Sequence, residues 1–213
     1  RAQLLLDLLT PVAKTFPAER GFESNALAVQ VLGGYGYTAD YLPELWLRDQ
    51  KLNSIHEGTT GIQGLDLLAR KAVAGGGAAR RAWAETVREA SAAGRAAGLD
   101  GAWCDALDGA VETVCTLTAE LGARGLAGDL DGMLGHSADY LDLFATVCVA
   151  WQWCLQAGAA ARALRDGRGT DLHRGKLQAA RYWFATELPR VPHLAALCRD
   201  AEGSYLAMQP GWW

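Results

Sequence analysis

Glu57 stands in the segment NSIHEGTTGIQ, in a short loop between two helix-like stretches. A carboxylate there lies close to the unpaired backbone N–H groups and positive dipole end of a helix beginning near Thr60. That position favours its charged form, whereas an apolar substrate closing over it would raise its proton affinity. A loop glutamate so placed can act as a general base whose basicity responds to substrate. On local chemistry alone, a solvated or capping carboxylate is the commoner outcome for such a residue. The second candidate is QVLGGYGY. Gly33-Gly34 either stops a helix or lets a phosphate or flat ring approach the backbone. This motif follows a helix rather than a strand, so it lacks the setting of a dinucleotide-binding fingerprint.

The elements that must position these residues are helical. Ala, Leu, Arg and Glu dominate, β-branched runs are scarce, and Gly and Pro act as punctuation. The pattern predicts a first helix to about Thr10–Thr15, disturbed by Pro11, and a second over Arg20–Leu32. Pro43 suits the first position of a third, PELWLRDQKL, and Thr60 with Gln63 is spaced as the capping box of a fourth. Gly75-Gly76-Gly77 is the strongest linker signal, dividing the chain into pieces 1–75 and 78–213. Beyond it, helices are predicted at about 78–97, 100–124, 137–165, 172–187 and 193–203, with Asp100, Ser137 and Asp171 as N-caps. No strand is indicated, so the fold class is all-α. The tail ends in Trp212 and Trp213, which are costly to leave in water.

Composition excludes several classes. Of 213 residues, 50% are hydrophobic and 21% charged, which argues against wholesale disorder. The net charge of −4, with no basic run beyond Arg80-Arg81, argues against a nucleic-acid binder. Five cysteines without a CxxC pair point to reduced, mostly buried thiols, a cytoplasmic location and no metal site. The uncharged stretch Leu143–Ala161 approaches membrane-spanning length. Gln152, Gln156 and Gly158 dilute it, and Tyr140, Phe144, Val147, Trp151 and Cys154 recur at steps of four and three. It is therefore expected to be a central bundle helix rather than a membrane span. The N-terminal Leu run is broken by Asp7, no leader cleavage site follows, and no Met opens it, so the start reads as the middle of an amphipathic helix. Trp151, Trp153, Tyr182, Trp183 and Phe184 are assigned to core, and Lys176 and Arg181 to solvated surface.

Three motifs in register, QVLGGYGYTADYLPELWLRD, KLNSIHEGTTGIQ and DLLARK, resemble the C-terminal helical domain of the acyl-CoA dehydrogenase family. SADYLDLFATVCVAWQWCLQAGAAA and GKLQAARYWFATELPRV resemble the extra helical module of its longer bacterial members, the methylthiopropanoyl-CoA dehydrogenase type. The resemblance implies a partial four-helix-bundle-type domain followed by an additional helical domain. It also implies α,β-dehydrogenation of an acyl-CoA to a 2-enoyl-CoA with FAD, and an electron-transfer flavoprotein or similar acceptor. Glu57 matches the family's catalytic base in its EGT motif. Gln30, Gly33, Gly34 and Thr59 match cofactor-contacting positions, the first three toward the adenosine end of FAD in a neighbouring subunit of a homo-oligomer. His56 and Gly58 match the wall of the acyl pocket, Gly58 leaving room beside the base. Gly61 replaces an often polar residue, and Arg48-Asp49 is expected to form an internal salt bridge.

The family's N-terminal helical and middle β-domains have no counterpart in these residues, so the chain is expected to be a fragment or one subunit, inactive alone. Two other readings remain. One is a non-catalytic helical oligomerisation or interaction module. The other is a flavin oxidase or an acyl-carrier-linked relative.

Overall fold

The computed structural model describes residues 1–212 and is helical throughout, with no strand among the described residues. Helix α1 runs unbroken from Ala2 to Leu32, correcting the expected division into two. Pro11 and Pro17 both lie inside it, although an interior proline removes a hydrogen bond and costs about 3 kcal/mol. Burial of Leu8, Pro11, Val12, Thr15 and Ala18 along one face keeps the helix continuous through them. Tertiary packing overrides the local breakers.

Beyond Ala18, α1 pairs with α3 (Leu42–Asn53) to form a hairpin, closed at its tip by the short α2 (Gly34–Tyr37). Gly36 is what lets the tip fold back: a Cβ there would lie 2.5 Å from the Val29 carbonyl oxygen. Gln50 of α3 braces the crossing by donating to the Ala18 carbonyl at 3.2 Å. A Cβ on Gly21 would collide with that same amide.

After α4 (Thr60–Leu65) comes a π-helical segment, Asp66–Ala72. Gly75, Gly76 and Gly77 then take positive φ in succession at the start of α5 (Ala74–Ala96), a turn that residues with a Cβ adopt only under strain. Helices α6 (Gly101–Leu126), α7 (Leu130–Leu134), α8 (Ser137–Arg165), α9 (Asp171–Tyr182), α10 (Val191–Asp200) and α11 (Ser204–Ala207) follow. Positive-φ glycines at Gly98, Gly128 and Gly167 fall at three breaks. Asp100 caps α6 as expected, accepting from the Ala102 N–H at 3.0 Å. The other two expected caps are each one residue off. His136 precedes α8 and Ser137 is buried within its first turn, while Thr170 caps α9 in a box with His173. The expected helix over 172–187 ends its α-helical part at Tyr182 and continues as a π-helical turn, Trp183–Glu187.

One hydrophobic core crosses the glycine turn. Leu8, Val12, Leu67 and Leu68 join Trp83, Leu107, Leu117, Tyr140 and Phe144, all buried. The stripe expected on α8 is its inner face, with Tyr140, Phe144, Val147 and Cys154 buried and Trp151 half-buried. The segment Leu130–Arg165 is long and apolar enough to cross a membrane, but 61% of its most apolar window is buried inside the bundle. Four of the five free cysteines are buried. Trp103 stacks on Phe184 with ring centroids 5.3 Å apart, and Trp183 meets Phe16 of α1 edge-on at 6.1 Å. Tyr182 departs from the core assignment: it is exposed on the outer side of α9. Trp212 is 69% exposed, so its burial is not achieved within this chain; Trp213 lies outside the described residues.

The C-terminal segment is latched by one histidine. His136 Nδ1 lies 2.9 Å from Asp139 and Nε2 lies 3.2 Å from the Glu202 carbonyl, with Tyr205 edge-on to the ring. The Asp139 carboxylate, with the Glu202 carbonyl adding to it, holds His136 above the usual imidazole range against partial burial. A raised folded pKa stabilises the fold fully below the unfolded value near 6.5, and the gain is lost as pH rises through the folded value. Wild type should therefore lose thermal stability relative to His136→Gln between about pH 6 and pH 8. A pH-independent difference between the two melting curves would show that the latch does not titrate.

Candidate functional site

The loop between α3 and α4 carries the candidate base, and its backbone is unusual. Glu57 has φ 55, one of two non-glycine residues with positive φ among the described residues, and Gly58 follows at φ 94. The left-handed region costs an L-residue roughly 1–2 kcal/mol, so the surrounding structure must enforce it. Two side-chain bonds do so, one local and one from a distant helix. The Gln63 side-chain amide donates to the Glu57 carbonyl at 2.9 Å, and Lys14 Nζ of α1 donates to the Gly58 carbonyl at 2.6 Å. The loop is thus clamped through its carbonyls to α4 on one side and α1 on the other.

The Glu57 carboxylate itself is exposed and makes no hydrogen bond or ion pair among the described residues. It differs in this from Glu19 close by, which accepts from the Thr60 hydroxyl, and from Glu44, which pairs with Arg48. The expected Thr60–Gln63 capping box does not form, because both side chains are engaged elsewhere: Thr60 with Glu19, Gln63 with the Glu57 carbonyl. Thr59 occupies the N-cap position with no side-chain cap, leaving its exposed hydroxyl uncommitted.

A Cβ on Gly58 would lie 2.9 Å from the Gln63 amide nitrogen and 3.4 Å from Ile62, so the glycine makes room for the Gln63 brace. His56 is exposed, with Nδ1 2.8 Å from the Leu52 carbonyl in the last turn of α3. The five principal cavities are lined by other residues, so Glu57, His56 and Gly58 lie on open surface rather than in an enclosed pocket.

At the hairpin tip, Gly33 (φ 59, ψ −137) ends α1 with its N–H on the Gln30 carbonyl at 3.1 Å. This is a 3₁₀-type closure, not the left-handed cap the double glycine suggested. No atom lies within 4 Å of where a Cβ would stand on Gly33, Gly34 or Gly61, so the backbone there is open. Gln30, one turn earlier, is exposed. The structure does not bring this tip together with Glu57. Lys14 anchors the Glu57 loop, and Gly33 lies 19 residues further along α1, about 28 Å at the α-helical rise.

The Arg48-Asp49 pair also differs from expectation. Neighbouring residues on a helix do not face one another, and Arg48 pairs instead with Glu44 one turn earlier on an exposed surface. Nothing local in the sequence marks Lys14 or Gly64, and Gln63, spaced as half of a capping box, braces the Glu57 carbonyl instead. A Cβ on Gly64 would lie 2.5 Å from the Ser137 carbonyl oxygen, so α4 rests directly on the start of α8. Lys14 was unmarked because its partner lies 44 positions away.

The sequence that builds this loop and the helices around it has counterparts in known proteins. Residues 3–73 match the family model "Acyl-CoA dehydrogenase, C-terminal domain", and residues 79–209 match "Acetyl-CoA dehydrogenase C-terminal like". The chain belongs to the acyl-CoA dehydrogenase family. It is similar to the 3-methylmercaptopropionyl-CoA dehydrogenase of Ruegeria pomeroyi, at 31% identity over 194 residues, covering 84% of this chain and 30% of that protein. It is also similar to the broad-specificity linear acyl-CoA dehydrogenase FadE5 of Mycobacterium tuberculosis, at 30% identity over 86% of this chain and 31% of that protein. An acyl-CoA dehydrogenase of Bacillus subtilis is 46% identical over 54 residues, a quarter of this chain and 14% of that protein. The chain spans about a third of the length of the first two relatives.

Proposed function

We propose that this chain supplies the catalytic base, Glu57, of an FAD-dependent acyl-CoA dehydrogenase that converts an acyl-CoA to the 2-enoyl-CoA. The observation carrying this reading is the Glu57 loop: a strained, doubly clamped backbone that fixes a carboxylate with no partner of its own. A capping or structural glutamate would be expected to spend its oxygens on N–H groups or cations.

The α-proton of a thioester is weakly acidic, and a carboxylate with a pKa of about 4.3 is poorly matched to it. An acyl chain covering Glu57 strips water from the carboxylate and raises its basicity at the moment the proton must move. Glu57 removes the α-proton, and the clamps from Lys14 and Gln63 hold it in place without neutralising it. The flavin, when bound, supplies the acceptor for the β-hydrogen, which leaves as hydride. His56 and Gly58 border the acyl chain beside the base.

The residues at the hairpin tip and Thr59, beside the base, fit the cofactor. At the tip Gly33 and Gly34 present open backbone and Gln30 is free to donate, so a flat ring or a phosphate can approach, while the exposed Thr59 hydroxyl is free to donate next to Glu57. The stretch of α1 from Lys14, which anchors the Glu57 loop, to the tip is about 28 Å long and supports a homo-oligomer in which the tip of one copy meets the cofactor served by another copy's Glu57. Among the described residues, thirteen of the 24 exposed large hydrophobics fall between Leu27 and Leu65, Val31 and Tyr37 among them at 84% and 83% exposed, as a surface covered in an assembly would require. The same surface favours the second reading, a helical interaction module without catalysis.

An electron-transfer flavoprotein or similar acceptor is the proposed redox partner. Because the chain spans about a third of its relatives, the rest of the flavin and CoA site is proposed to lie on residues beyond it. These 213 residues alone should give no stoichiometric flavin spectrum and no dye-linked turnover. A one-to-one flavin spectrum with turnover would overturn that part of the proposal. Exchange of Glu57 for glutamine in the complete flavoprotein separates the two readings, since only an enzyme should lose its rate.

A further inference from the structure

A cavity of about 440 Å³ opens between the glycine turn at Gly75–Gly77 and the outer half of α6, away from the Glu57 loop. It exists because α6 turns small residues, Ala119, Gly122 and Ala123, toward the start of α5, while Val73 and Met133 form apolar walls. Its volume falls in the range of small-molecule sites, about 300–1,000 Å³. Leu126 and Leu130 stand at its rim, 93% and 58% exposed.

Only two side chains with polar groups line it, Arg80 and Thr118. The Thr118 hydroxyl is committed to the Val114 carbonyl and the Tyr140 hydroxyl, each at 2.6 Å. Arg80 is not so satisfied. Its Nη1 donates to the Cys115 carbonyl at 3.0 Å, but Nε is buried with no partner and Nη2 bonds nothing among the described residues. No carboxylate lies within 4.0 Å of it, whereas Arg88, Arg95, Arg190 and Arg199 each meet one. The adjacent turn makes the space: a Cβ on Gly77 would lie 3.0 Å from Nη2.

A partly buried guanidinium without an anion carries a desolvation cost that a carboxylate would offset through two parallel N–H···O bonds. With one cation and otherwise apolar walls, the site suits a single negative charge on an aliphatic body; a dianionic phosphate would find no second cation. We propose that this cavity binds a monocarboxylic acid with an aliphatic tail, its carboxylate on Arg80 and its chain between Val73, Gly122 and Met133. Binding would draw Leu126 and Leu130 out of water over the tail. The site is independent of Glu57 and of the proposed dehydrogenation.

Calorimetric titration of the full chain with octanoate, octanol and acetate tests it. Octanoate should bind saturably at one site, with octanol at least tenfold weaker and acetate without saturation. Arg80→Met should weaken octanoate about tenfold or more, Arg80→Lys should restore part of the loss, and Gly122→Leu should abolish binding by filling the space. Should Arg80→Met fail to fold, Gly122→Leu and the octanol comparison still decide. Absence of saturable octanoate binding, or affinity unchanged in the folded variants, would overturn the proposal.

Discussion

Glu57→Gln in the complete flavoprotein should lower kcat by about 10²–10⁴-fold or more while FAD remains bound. Glutamine keeps the length and nearly the shape of the side chain but cannot accept a proton from carbon. The loop should survive the change intact. Its conformation is fixed by the Gln63 amide on the Glu57 carbonyl and by Lys14 on the Gly58 carbonyl, neither of which involves the carboxylate. Glu57 is exposed and carries no ion pair, so no buried partner is left orphaned and stability should change little. Loss of rate with melting temperature and flavin content preserved is the signature of a base. Loss of all three together would mark a structural residue, and near-normal turnover would favour the interaction module.

Trp83→Ala should destabilise the chain by about 3–5 kcal/mol, the largest effect expected of a core substitution here. Trp83 is fully buried, and its ring lies 4.5 Å from that of Phe144, centroid to centroid, where α5 crosses α8. The same core reaches back through Leu67, Leu68 and Leu8 to the helices that hold the Glu57 loop. A void at that crossing would loosen the support on both sides of the glycine turn. For a chain of this length, such a loss lowers Tm by roughly 10 °C. The Trp83 indole N–H meets no oxygen or nitrogen acceptor and has only the weakly accepting Cys148 thiol beside it, so Trp83→Phe loses little hydrogen bonding and should cost much less. Equal melting temperatures for Trp83→Ala and wild type would show that the two parts do not share a core.

The extent to which the sequence could be read follows from the range of the forces involved. Helix α8 was legible to the residue, because the four-and-three spacing from Tyr140 to Cys154 is a local signal of one buried face. The breaks at Gly98, Gly128 and Gly167 were legible because positive φ at a helix end is a local demand that glycine meets. Pro11 misled for the opposite reason: its breaking tendency is local, while the packing that overrides it on Leu8, Val12 and Ala18 is not. Asp100 is recognisable as a cap by its own side chain, whereas Ser137 lies inside the first turn of α8 with its carbonyl against Gly64 and leaves the N-cap position to His136.

The same distinction applies to the candidate site. The motif around Glu57 was visible in the sequence, but its meaning came from similarity rather than from local physics. The clamps that give the loop its shape join residues 14 and 58 across two helices and have no periodic trace. The mismatch at Arg48 was avoidable, since adjacent helix positions diverge and Glu44 stands one turn away. No local pattern marks the apolar residues from Leu27 to Leu65 as surface; only the fold shows how many of them stay in water.

Proton exchange at the substrate's α-carbon tests the central claim most directly. An acyl-CoA with a quaternary β-carbon, such as 3,3-dimethylbutanoyl-CoA, has no β-hydrogen to lose, so only removal and return of the α-proton can occur. In deuterated buffer, the complete flavoprotein should place deuterium at that carbon, and Glu57→Gln should do so at least about a hundredfold more slowly. Equal exchange by the two proteins would contradict the assignment of Glu57 as the base.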